Sequence, residues 1–534
     1  MAGLLIRQLC LAPRKKPSLT LAVLTRSMGN NLTKKNLLLK NTAFSIFSWV
    51  FPLCLAFIAT PLLVKGLGNE QYGIYAIALG FVSFAFSSGV GRIAAKYIAE
   101  LRASGETEKL SEAVSATIWL TVVIGLLQAI ILALAAPYIV SEILLISPDT
   151  GKQVLLALYL AAAGGMFLMI SYVFQFMLHG ISRFDRLAWI TNLSAVLLNA
   201  GNVLLMLYGF GVLVILIWNA IVFALIGFLY YWGSMRLLPE FHFVFRINEG
   251  TAKSVAAYAS SIVLYQALTS ILFIFERTWI VRKFGPEALT FYVVPLMLAI
   301  YMHGLLASFV QVLFPVVNEL LLDLDKLKRL YQKSTKAAFV IIVFIVGTYV
   351  AGGKMFLQLW MNDEFAERSY SLLLILSITF GINAVGMIVW QLAEAFKYPG
   401  LNAFSAAMWM IVSIPLMAVA ADGWQMEGIA FARLLGVLTT IPMIFYIEKR
   451  FLGHIFLGFW LGMIFRAAIA ACAMIIVESQ LLSRFGTGWL SLASGFASGT
   501  IVFCSVLVLI GFITRDERTI IREMLFRNVK PSVF

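Results

Sequence analysis

Glu276 and Arg277 stand side by side inside an otherwise apolar stretch, and Arg433 stands alone inside another. An ionisable group in hydrocarbon is costly, so such residues usually face a partner, a cavity or a cargo. Glu276 is the only acid placed deep in an apolar run, which makes it the candidate carboxylate for ion coupling. Arginine offers a planar fork of donors that matches a phosphate, and lysine a point charge. Arg277, Arg433, Arg92, Lys96 and Lys40 are therefore the candidates for binding an anionic substrate. For Arg92, Lys96 and Lys40, at the ends of apolar runs, anchoring at the membrane surface explains the charge at least as well. At about 100° per residue, Tyr258, Ser261, Tyr265, Thr269 and Glu276 share one helical line, and Gln266, Ser270 and Arg277 a second. Tyr265 and Gln266 thereby join the charges as polar candidates. Asn192, Asn199 and Asn202 fall within about 80° of arc; Asn199 and its neighbours could meet sugar, or equally bond helix to helix. The histidines at 179, 242, 303 and 454 and the four cysteines show no ligand spacing, and no GxxxxGK[ST] loop occurs. No catalytic residue, metal, cofactor or built-in ATPase is expected.

The elements that hold these residues follow from composition. The 534 residues are 61% hydrophobic and 12% charged, with mean hydropathy +0.93, whereas soluble domains carry about a quarter charged residues. Apolar runs of about 20 residues follow one another along the chain, the length a helix needs to cross hydrocarbon. They are too long for barrel strands, so the fold class is an all-α polytopic membrane protein. Breaks place spans at 41–64, 73–91, 113–136, 154–178, 187–208 and 212–232, then 255–281, 288–314, 337–357, 370–393, 401–421 and 428–446, and last 463–482 and 489–513. Pro52, Pro295 and Pro415 fall inside spans and predict kinks. With the N-terminus in the cytoplasm, cytoplasmic segments hold 30 of the 40 Lys and Arg and the opposite connections seven. That bias predicts both termini inside.

An internal repeat organises the spans. Leu67-Gly68-Asn69-Glu70-Gln71-Tyr72-Gly73-Ile74-Tyr75 after the first span parallels Phe284-Gly285-Pro286-Glu287-Ala288-Leu289-Thr290-Phe291-Tyr292 after the seventh, and Gly, Glu and Tyr match at a constant offset of 217. The same offset superposes Glu108-Lys109-Leu110 on Asp325-Lys326-Leu327. Six spans per unit is even, so the halves point the same way about a pseudo-two-fold along the membrane normal, and substrate binds between them. The expected units are a cytoplasmic extension 1–35 (or a start at Met28), a six-helix bundle 36–235, a second bundle 236–450, two extra helices 451–513 and a basic tail 514–534.

The run from Thr60 to Tyr75, Gly89-Val90-Gly91-Arg92 and Gly285-Pro286-Glu287 with Tyr292 resemble the polysaccharide (O-antigen type) flippases of the multidrug/oligosaccharidyl-lipid/polysaccharide exporter superfamily. The resemblance spans about residues 36–450. It implies two six-helix bundles around a cleft, alternating access, residence in the bacterial cytoplasmic membrane, and an undecaprenyl-pyrophosphate-linked oligosaccharide as cargo. Membrane lipids and glycan-assembly proteins are the implied partners, with no role for nucleic acid. The last two helices depart from relatives that stop at twelve. An ion-coupled exporter of cationic drugs would want intramembrane acids rather than bases, and a membrane polysaccharide polymerase would want a large loop or acidic catalytic site that the short connections leave no room for. A transporter rather than an enzyme is the expectation.

Overall fold

The computed structural model describes residues 47–84, 91–321, 323–396 and 400–512, together with Phe44 and Tyr398. The expected extension 1–35, Lys40, the tail 514–534 and the side chain of Tyr265 lie outside the described residues. Among the described residues there is no strand, as a bilayer demands of a chain that does not close a barrel.

The helices are α1 (Phe47–Leu67), α2 (Asn69–Phe84), α3 (Gly91–Ser104), α4 (Thr107–Tyr138), α5 (Pro148–Gly180), α6 (Phe184–Leu207), α7 (Val212–Leu237), α8 (Glu249–Glu319), α9 (Leu324–Trp360), α10 (Asp363–Ala395), α11 (Gly400–Leu438), α12 (Thr440–Ile447), α13 (Leu457–Phe485) and α14 (Trp489–Leu509). Among the described residues, eleven helical stretches are long and apolar enough to cross a membrane. The 71 residues of α8 would make a rod of about 105 Å, against about 30 Å of hydrocarbon. Its backbone leaves helical geometry at Gly285, with φ +83°, so 249–284 and 286–319 are two crossings. Helix α11 divides in the same way at Trp424 and Gln425. Pro295 and Pro415, expected as kink sites, lie within continuous helix.

The repeat has a backbone counterpart. Gly68, between α1 and α2, has φ +81°, and Gly285 at the matching offset has φ +83°. A side chain is strained in that region, so glycine is what each turn requires. The two crossings on either side of Gly68 thus correspond to the two on either side of Gly285. Two similar six-crossing bundles result, α1–α7 and α8–α12, while α13 and α14 pack on each other and on α9.

One element was not foreseen. The stretch expected to be a connection, 92–112, contains α3, whose apolar Ile93, Ala94 and Ile98 are fully buried while Arg92, Glu100 and Arg102 are exposed. An amphipathic helix of this kind has too little apolar length to span, and it lies along α4 and α5 instead.

Candidate functional site

The charged centre is built by three crossings. Glu276 on the first half of α8 has no exposed surface, nor does Arg433 on the second half of α11, and the two form an ion pair. The other carboxylate oxygen of Glu276 accepts a hydrogen bond from the hydroxyl of fully buried Tyr292, on the second half of α8. Arg433 is boxed by rings: its guanidinium carbon lies 4.1 Å from the Phe273 ring centre, 5.0 Å from Phe380 and 5.5 Å from Trp409. Cation–π attraction and one carboxylate thus replace the water the charge has lost. Its Nε and Nη2 have no hydrogen-bond acceptor among the described residues.

Arg277 turns the other way. Its Nη1 donates to the carbonyl of Ala76 on α2, in the opposite bundle. The approach depends on Gly80, where a Cβ would sit 2.7 Å from that nitrogen. The same seam holds Thr290, whose hydroxyl donates to the Asn69 carbonyl at 2.6 Å. At Gly73 a Cβ would fall 1.8 Å from the carbonyl oxygen of Pro286. At the end of the molecule that carries the two glycine turns, α2 and α8 are therefore in backbone contact and the bundles are closed against each other.

The repeat also pairs two polar hubs of unlike charge. Tyr75, the counterpart of Tyr292, accepts at its hydroxyl from Asn202 at 3.1 Å and from Asn219 at 3.4 Å. The N-terminal hub is neutral, whereas the C-terminal hub is an ion pair.

Away from the closed end, a cavity of about 380 Å³ lies between α1, α6 and the second half of α8. Trp49, Ser48, Thr191, Ser194, Asn199 and Tyr301 are among its lining residues. Rings flanked by hydroxyls and an amide offer stacking faces and hydrogen-bond partners in a largely uncharged space. Tyr301 is an electrostatic neighbour of Tyr72, which in turn is one of Arg277.

Of the residues singled out in the sequence, Glu276 and Arg433 pair at the centre, Arg277 turns away to the seam with α2, and Asn199 lines the cavity while its amide donates to the Ala195 carbonyl at 2.9 Å. Gln266 is partly buried on α8. Arg92 is exposed and Lys96 partly buried on α3, apart from the ion pair, and Arg92 is an electrostatic neighbour of Glu394 on α10. Among the described residues no group of His, Cys, Asp and Glu could hold a metal.

Two further buried acids, near the ends of helical stretches rather than deep in a span, were not singled out in the sequence: Glu448 and Glu478 have no exposed surface either. Glu448 is satisfied by the Tyr331 hydroxyl at 2.6 Å, the Trp460 indole at 2.8 Å and the Phe456 amide at 3.1 Å, and so ties α9 to the start of α13. Glu478 sits on α13 and belongs to a different space.

Known proteins resemble this arrangement. A protein of Shigella flexneri described as an O-antigen transporter is 22% identical over 420 residues, 77% of this chain and 98% of its own. The lipid II flippase MurJ in an inward closed conformation superposes with TM-score 0.73 at 13% identity, over 90% of this chain and all of that one. An inward-facing multidrug resistance MATE family transporter of the MOP superfamily gives TM-score 0.64 at 15% identity, over 76% and 98%. These likenesses show the fold that MurJ and the MATE transporter share, and with the apolar helices a multi-pass membrane protein. The model of one family, described as polysaccharide biosynthesis protein, matches residues 38–321, more than half of the chain, and the chain belongs to that family.

Proposed function

We propose that the protein is a flippase, not an enzyme, that carries an undecaprenyl-pyrophosphate-linked polysaccharide repeat unit across the bacterial cytoplasmic membrane by alternating access, with both termini in the cytoplasm. The observation that carries this reading is the between-bundle cavity, lined for sugar by rings, hydroxyls and Asn199, with two buried arginines near the seam that closes it. In the closed state Glu276 occupies Arg433. A pyrophosphate entering from the cavity would compete for the same guanidinium, whose two unused donors suit a bidentate anion. Arg277 is the second phosphate candidate, freed from Ala76 when the bundles part. The S. flexneri relative and the MurJ fold support this cargo class over others.

A cationic-drug exporter is the weaker reading, because the acid at the centre is already neutralised by Arg433. The deciding experiment is reconstitution in proteoliposomes loaded with a labelled undecaprenyl-pyrophosphate oligosaccharide on one leaflet. Transfer to the other leaflet faster than in protein-free vesicles is the expected result. Glycosyl transfer between donor lipids, or transfer no faster than the blank, would overturn it.

A further inference from the structure

Glu478 is the one fully buried carboxylate of the three that has no partner. Neither of its oxygens meets a hydrogen-bond donor among the described residues, in contrast to Glu276 and Glu448. The helices around it are shaped to admit it. A Cβ at Gly352 of α9 would lie 3.2 Å from its Oε1, one at Gly499 of α14 2.8 Å from its Oε2, and one at Gly495 3.5 Å from its Cγ. Glu478 lines a cavity of about 360 Å³ between α1, the second half of α8, α9, α13 and α14, whose other walls include the rings of Phe57, Tyr349, Phe356, Trp489 and Phe496. It lies two turns from the end of α13 at Phe485, about 10 Å along the axis, within reach of a solute entering from the membrane interface beside half-exposed Trp489.

We propose that this cavity binds a hydrophobic organic cation, with Glu478 as its counter-ion. A lone carboxylate among apolar walls is strongly disfavoured unless a positive charge joins it. A hard metal ion is a poor candidate, since it wants about six oxygen ligands and the walls are mostly carbon. An alkylated ammonium needs no such ligand set. It gains from one carboxylate and from several ring faces at once, and its alkyl groups match the remaining surface. The cavity shares no lining residue with the Glu276–Arg433 pair and its ring box and does not depend on the flippase reading.

The test is calorimetric titration of tetrapropylammonium into the purified full-length protein in phosphatidylglycerol nanodiscs. The parent should show saturable binding at one site, weakened at least tenfold by Glu478→Gln and kept within a few-fold by Glu478→Asp. Absence of saturable binding in the parent, or equal affinity in a monodisperse Glu478→Gln protein, overturns the proposal and leaves Glu478 as a neutral acid packed between helices. Should Glu478→Gln fail to fold, Trp489→Leu, a change at a half-exposed ring, carries the test. It should weaken binding several-fold, and unchanged affinity would overturn the site as drawn.

Discussion

Arg433 would be among the most destabilising residues of this membrane if its charge stood alone. Removing one partner from a buried ion pair typically costs about 3–5 kcal/mol, because the survivor stays buried and uncompensated. Arg433→Met should therefore lower stability by about that amount, while the double change Glu276→Gln with Arg433→Met should recover most of it. Tyr292→Phe removes only one donor from Glu276 and should cost about 1–3 kcal/mol. Unfolding of the purified protein in mixed micelles by sodium dodecyl sulfate measures all three. If the double change loses as much as the single one, the pair is not what stabilises the centre, and the aromatic box around Arg433 carries the larger share. The exposed pairs Arg368–Glu287 and Lys283–Asp422 face water and should each be worth about 0–1 kcal/mol.

At the scale of elements, the seam between α2 and α8 rests on residues too small to resist it. Gly73 meets the Pro286 carbonyl so closely that Gly73→Val cannot keep the present contact without parting the helices. This variant should shift the molecule away from the closed state, and a cysteine replacing buried Thr290 should then react with thiol reagents severalfold faster than in the parent; an unchanged rate would mean that the seam yields locally without opening. Much of this architecture was legible in the chain, because apolar runs and the offset of 217 are local patterns that survive folding. The glycine turns at 68 and 285 were visible for the same reason. The break in α11 was visible as well, between the spans expected at 401–421 and 428–446, although Trp424 and Gln425, which leave helical geometry there, are not breakers by type. The site was only half legible. Adjacent Glu276 and Arg277 announce themselves as charges in an apolar run, but which of them pairs, and with what, depends on helices 150 to 200 residues away. Glu478 lay four residues from the expected end of its span, where a carboxylate ordinarily reaches water. In the fold, the glycines of α9 and α14 pack against it instead.

At the scale of the whole molecule, alternating access requires the two bundles to part at the end where they now touch and to meet at the other. Thr290 has no exposed surface and its hydroxyl is bonded to the Asn69 carbonyl across the seam. A reagent can reach position 290 only when that end opens, and positions 69 and 290 come together only when it closes. Cysteines at both positions, in a protein whose four natural cysteines are replaced by serine, therefore report a complete cycle. A short, membrane-impermeant bifunctional thiol reagent should join them when added outside the cell, where the charge bias predicts this end to lie. Joined, the bundles can no longer part there, so flipping of lipid-linked oligosaccharide should stop, while each single-cysteine protein treated alike should keep most of its activity. A reagent with a reducible link should let activity return on reduction, which separates arrest from damage. Full transport by the joined protein would mean that the seam is not a moving part. Cross-linking only after permeabilisation would reverse the assigned orientation while leaving the rocking of the bundles intact.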